Sequence, residues 1–146
     1  MIARKVIGFR PPNTALGVLP SATVRMPEQG FWRLEMVSAY LNAAAAAAVV
    51  SATFTVVDAY GVTYAQGHLN CGVAAFDSNI AWQKDGPEHV PTLSTHFATA
   101  PCPSNVWDGS KGLRLVLTAL AGSDVAQLSD ILIVATQILP DDGANL

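Results

Sequence analysis

Apolar and polar residues alternate with period two over several stretches of this chain, which predicts strands rather than helices. Phe31 to Leu41 puts Trp32, Leu34, Met36 and Tyr40 on one face of a strand and Arg33, Glu35, Val37 and Ala39 on the other. Val49 to Asp58 sets Ala52, Phe54 and Val56 against Ser51, Thr53 and Thr55. The Asp58-Ala59-Tyr60-Gly61 that follows suits a tight hairpin turn, with Val62 to Gln66 as the return strand. Short strands are expected at Val73 to Phe76 and Thr92 to Ala98. Leu113 to Leu120 turns Leu113, Leu115 and Leu117 inward and Arg114 and Thr118 outward. Asp130 to Ile138 is almost continuously apolar, the pattern of a strand covered on both faces.

The interruptions are as informative. Pro11, Pro12, Pro20 and Pro27, with Gly8 and Gly17, forbid a long helix near the N-terminus and predict an extended arm, with an edge strand at Ala3 to Phe9. Asn42 and the six alanines after it fit either one or two helical turns or an irregular connection. Asp77 to Pro91 and Pro101 to Gly112 read as long surface loops. Six to eight strands with turn signals between them give an all-β chain, an antiparallel β-sandwich or barrel. Its expected divisions are an extended N-terminal arm (1–26), a β-sandwich body (27–140) and a polar C-terminal tail (141–146).

Composition changes this picture in one respect. Only 13% of the 146 residues are charged and 51% are apolar, against about 25% charged in ordinary soluble domains. Such a surface is expected to meet other protein, as in an oligomer or shell subunit. Residues 1–27 carry +4, from Arg4, Lys5, Arg10 and Arg25, and the rest carries −7, for a net charge of −3. That asymmetry suits an acidic partner surface. Four bases without interleaved aromatics make a weak footprint for nucleic acid, so none is expected as a partner. The uncharged run Met36 to Val57 is long enough to span a bilayer, but its polar residues and strand alternation argue against a membrane segment. The N-terminus lacks the apolar core of a signal peptide, which implies synthesis in the cytoplasm.

Three pieces of the body carry a resemblance. Val37-Ser38-Ala39-Tyr40-Leu41 precedes the small-residue run, and Thr53-Phe54-Thr55-Val56-Val57-Asp58-Ala59-Tyr60-Gly61 is a strand ending in a D-x-x-G turn. Ala121-Gly122-Ser123-Asp124 then leads into Ile131-Leu132-Ile133-Val134. Together they resemble the small jelly-roll structural proteins of tailed-bacteriophage virions, including capsid decoration and cement proteins. The resemblance covers roughly a third of the body. It implies a jelly-roll-like sandwich and a non-enzymatic protein on the capsid exterior, made in a bacterial cytoplasm. The implied partners are the major capsid protein and copies of the chain itself, as a dimer or trimer.

Candidate chemistry is sparse. His68, Cys71, His96 and Cys102 are the ligand types of a structural zinc site, but they lack its paired spacing, and buried free thiols are the simpler reading of the cysteines. Glu88, His89 and Asp85 read as a solvated loop cluster rather than an acid/base pair. No nucleophile elbow, zincin or phosphate-loop motif occurs, and no enzyme activity, metal or cofactor is expected. Arg4, Lys5 and Arg10 are the expected arm contacts to a partner. Trp82 and Trp107, placed in the two long loops, are expected at a subunit interface, with glycan or receptor binding by a fibre or tail module as the alternative. Trp32 is expected in the core.

Overall fold

In a computed structural model of the chain, residues 2–43, 51–70, 78–86, 88, 97–120 and 126–140 are described. They form ten strands: β1 (Ile2–Phe9), β2 (Ser21–Arg25), β3 (Phe31–Ala43), β4 (Ser51–Val57), β5 (Thr63–Asn70), β6 (Ser78–Gln83), β7 (Phe97–Pro101), β8 (Val106–Asp108), β9 (Arg114–Leu120) and β10 (Ala126–Pro140). A 3-10 turn, Gly109–Lys111, precedes β9. One sheet runs β1-β10-β3-β6-β7, with β8 also paired to β3, and the other runs β2-β9-β4-β5. Every pair is antiparallel except β6 with β7.

The wiring follows from nested pairing. β1 pairs with β10, β2 with β9, β3 with β6 and β4 with β5. A long hairpin folded across two sheets gives this set, and the contacts of β10 with β3 and of β9 with β4 close it into a jelly roll. The all-β sandwich expected from the alternation is therefore the fold observed.

The core lies between the sheets and is built on Trp32, Trp82, Phe54, Leu34, Leu115 and Leu117, all fully buried. Phe54 meets Trp82 edge-on at 4.9 Å between ring centroids, and Phe9 packs on Trp32 at 5.9 Å. Gly67 lies opposite Phe54, where any Cβ would strike the ring, so the aromatic side chain sets a glycine on the neighbouring strand. The Trp32 indole Nε1 donates to the Pro27 carbonyl at 2.9 Å and ties the entry of β3 to the chain before it.

Two bulges correct the assignment of faces. Leu34 and Met36 of β3 face Ala135 and Val134, so Glu35 is an extra residue. Trp32 and Leu34 point inward before it, and Val37, Ala39 and Leu41 do so after it. Met36 and Tyr40, expected beside Trp32, therefore lie on the outer face. In β10 the register slips between Ser129 and Leu132, and Asp130 there takes a left-handed φ of 49°. The inward side of β10 is buried, but Leu132, Val134 and Ile138 on the other side are only half-buried, so this strand is not covered on both faces.

The N-terminal segment departs most from expectation. It is extended and contains the edge strand, but it is not an arm separate from the body. β1 pairs with β10 over its whole length. Beyond it, Thr14 N–H donates to Leu128 O and Gly17 pairs with Ala126, so residues 13–17 continue along β10. Pro11 and Pro12 lie between these two stretches, near the β10 bulge, where Asp130 N–H donates to the Asn13 Oδ1. Residues 21–25 form β2 in the opposite sheet.

The region read as a loop from Asp77 holds β6, and the region from Pro101 holds β8. The strand expected at Thr92 to Ala98 is seen from Phe97 onward as β7. The readings of residues 44–48 and 73–76 lie outside the described residues, as does the expected tail. No helix among the described residues is long and apolar enough to cross a membrane, and Met36 to Val57 contains parts of β3 and all of β4.

Candidate functional site

Trp82 and Trp107 are not surface plugs. Each stands on the inward face of its strand, 0% and 4% exposed respectively, and each is part of the core. Their indole N–H groups have no acceptor among the described residues. The alternation of Ser78, Ile80 and Trp82 against Asn79, Ala81 and Gln83 was the signal that marks β6 as a strand. The glycan-platform reading rested on these two rings being accessible, and their burial removes that basis.

Arg4, Lys5 and Arg10 are all exposed, the first two on β1 and the third just beyond it. Their charge is available to a partner, but from the edge of a sheet rather than from a flexible extension. A second basic grouping was not singled out from the sequence. Arg25 of β2 stands directly opposite Arg114 of β9 on the outer face of the four-stranded sheet. Arg25 reaches Glu28 at 3.7 Å, and Arg114 Nη2 donates to the Asp58 carbonyl at 3.5 Å.

The remaining candidates do not converge. His68 is exposed on that outer face, within 3.2 Å of the Thr53 hydroxyl, whereas Cys102 is buried near the end of β7. They cannot share a metal. Cys71 and His96 lie outside the described residues, and among those described no group of three His, Cys, Asp or Glu side chains is placed to hold an ion. Burial, with the charge of Glu35 as a smaller cause, pushes the Cys102 thiol up to about 12, which keeps it protonated. Asp85 and Glu88 are exposed, and His89 lies outside the described residues.

Two carboxylates are fixed by dense hydrogen bonding. Asp58 Oδ1 accepts from the N–H groups of Tyr60 and Val62 at 2.8 and 2.9 Å, and its Oδ2 accepts from the Tyr64 hydroxyl at 3.0 Å. Burial pushes its pKa up, but these donors, with the charge of Lys111, hold it below the ordinary value. The same hydrogen bond, with burial, raises the Tyr64 hydroxyl. Glu35, at the β3 bulge, accepts from Arg33 Nε at 2.9 Å and Thr136 Oγ1 at 2.8 Å through one oxygen. Burial works against its ionisation, yet these two bonds and the charges of Arg33 and Lys84 bring its pKa down. Both groups are structural anchors: one closes a turn and the other stabilises a bulge.

The surface is distinguished instead by apolar side chains. Where residues 10–20 cross from one sheet to the other, Leu16 is 66% exposed and Leu19 is 60% exposed, with Val18 between them also exposed. The Ala119 N–H donates to Pro20 O, which continues the β2·β9 register and brings Leu19 opposite the exposed Leu120. On the outer face of the six-stranded sheet, Val6 and Phe31 are exposed beside half-buried Val134 and Ile138. A shallow depression of about 200 Å³ on that face is lined by Ser38, Tyr40, Asn79 and Asp130 among others.

No protein-family model matches the chain, and no curated protein sequence matches it. Among solved structures it is similar to that of the infectious bursal disease virus Gx strain, with 10% identity, a TM-score of 0.38 and coverage of 98% of this chain and 43% of that one. It is similar also to T=1 particles derived from infectious bursal virus, with 10% identity and a TM-score of 0.39, covering 98% of this chain and 42% of the other. The VP2 subviral particle of infectious bursal disease virus matches at 8% identity and a TM-score of 0.33, over 98% and 44% of the two chains. The chain spans less than half the length of the structures it matches.

Proposed function

We propose that this chain is a non-enzymatic structural protein of a virion, which binds the capsid exterior as a decoration or cement protein and associates with copies of itself. The observation that carries this reading is the exposure of Leu16, Val18 and Leu19 on one short segment, with exposed Leu120 opposite Leu19. A chain with few charged side chains leaves these four large apolar groups in water, and exposed apolar side chains grouped along one segment support a protein contact there. The jelly-roll wiring is a scaffold that supports such contacts without itself specifying them. Arg4, Lys5 and Arg10 would supply attraction to an acidic coat surface.

Light scattering on the full chain at about 100 µM, well above the range of specific association, should give a mass that is a multiple of 15.3 kDa. Leu16→Glu with Leu19→Glu should lower the amount of the chain recovered with purified virions. Virions from cells that express the chain should contain it, and antibody raised against it should label their exterior. A monodisperse single chain that is absent from purified particles would overturn the proposal.

A further inference from the structure

β1 forms one end of the six-stranded sheet, and among the described residues no strand lies on its outer side. Its pairing with β10 runs from Ile2 to Phe9 without a register shift, so the open side is a straight row of backbone donors and acceptors. The other edges are better defended. β2 is five residues long between Pro20 and Pro27, and β7 is five residues long and ends in Pro101. β5 lies near β7, so those two edges flank the same side of the sandwich. β5 matches β1 in length and also lacks proline, but its pairing slips between Val56 and Val57, whereas β1 pairs without a shift along all eight residues and carries Val6, 68% exposed, at its centre.

We infer that β1 pairs antiparallel with β1 of a second copy across a two-fold axis at Val6, joining two six-stranded sheets into one. This pairing rests on the assembly role proposed above and names its partner surface. The register follows from faces and charges. Residues directly opposite in an antiparallel pair share a face, and Arg4, Val6 and Gly8 face outward with their partners Ile138, Thr136 and Val134. Centring the axis on Val6 sets Val6 against Val6, Arg4 against Gly8, and Lys5 against Ile7. The two valines then cover each other, the long Arg4 side chain crosses a residue without one, and no like charges stand opposed. Centring on Lys5 or Arg4 instead would oppose two cations, which is destabilising.

Position-specific cross-linking tests the register. Opposed Cα atoms in an antiparallel pair lie about 4.5–5.5 Å apart, within disulfide reach, whereas the two copies of residue 4 would be about 14 Å apart. Val6→Cys should form a covalent dimer under mild oxidation, mapped by peptide mass spectrometry to position 6 of both chains, and Arg4→Cys should not. Val6→Lys should weaken self-association at least tenfold in sedimentation velocity while leaving the melting temperature unchanged at dilutions where both proteins are single chains, because there the side chain is in water. An oligomeric wild type with no cross-link at position 6, or with equal cross-linking at position 4, overturns this pairing and leaves the assembly role standing. A wild type that stays a single chain and gives no cross-link removes both.

Discussion

Asp58 shows how one side chain organises a turn. Its carboxylate gathers two backbone N–H groups and the Tyr64 hydroxyl, while its own N–H donates to Val62 O and Gly61 takes a φ of 84° that favours glycine. Its pKa is lower in the folded chain than the ordinary 3.8. The unfolded chain therefore binds the extra proton first as pH falls, and the stabilisation is complete above the unfolded value and lost as pH drops through the folded one. Asp58→Asn is expected to lower the melting temperature at pH 7 and to narrow that difference progressively below about pH 4, the ordinary carboxylate range. Thermal melts of both proteins from pH 7 to pH 2 check this, and a difference that stays constant with pH would assign the loss to packing instead.

At the level of elements, the bulges decide what reaches the core. Asp130 holds a left-handed backbone at the β10 slip, a conformation that costs an ordinary side chain about 1–2 kcal/mol. Asp130→Val should destabilise the protein by roughly that amount in urea denaturation, and Asp130→Gly should not, because glycine adopts the angle freely. Equal losses for the two would show that the side chain, not the backbone, matters. These bulges also explain which strands the sequence made legible. β4 and β9 keep strict alternation, and their inward residues Phe54, Val56, Leu115 and Leu117 are readable directly from it. β3 changes phase at Glu35, so an alternation extended across it puts Met36 and Tyr40 on the wrong face. β6 and β8 are short and flanked by turn residues, and composition outweighed their alternation, which hid Trp82 and Trp107 in supposed loops. By composition alone the prolines of the first 27 residues point to a detached arm. They lie beside a bulge or flank a strand, positions where a missing N–H costs the ladder nothing. Arg4, Lys5 and Arg10 are exposed in the structure, while the placement of Leu19 opposite Leu120 depends on the β2·β9 pairing and has no local pattern to announce it.

For the whole molecule, the N-terminal segment is part of both sheets. Deleting residues 1–26 removes β1 and β2, strips β10 and β9 of one neighbour each, and leaves Trp32 without Phe9 above it. The truncated chain is expected to show no cooperative thermal transition by circular dichroism, and a sharp melt with β-type signal would mean that the rest folds alone. Charge reversal at Arg4, Lys5 and Arg10 is therefore the cleaner way to probe partner attraction. The placement of β10 between β1 and β3 also governs how the protein is made. The six-stranded sheet lacks the strand that joins β1 to β3 until residue 140 has been synthesised, about 7–26 seconds after β1 at about 5–20 residues per second. Throughout that interval β1 has no partner and β3 lacks one neighbour, so the yield in cells should depend more on how crowded and how warm the ribosome's surroundings are than on the stability of the finished molecule.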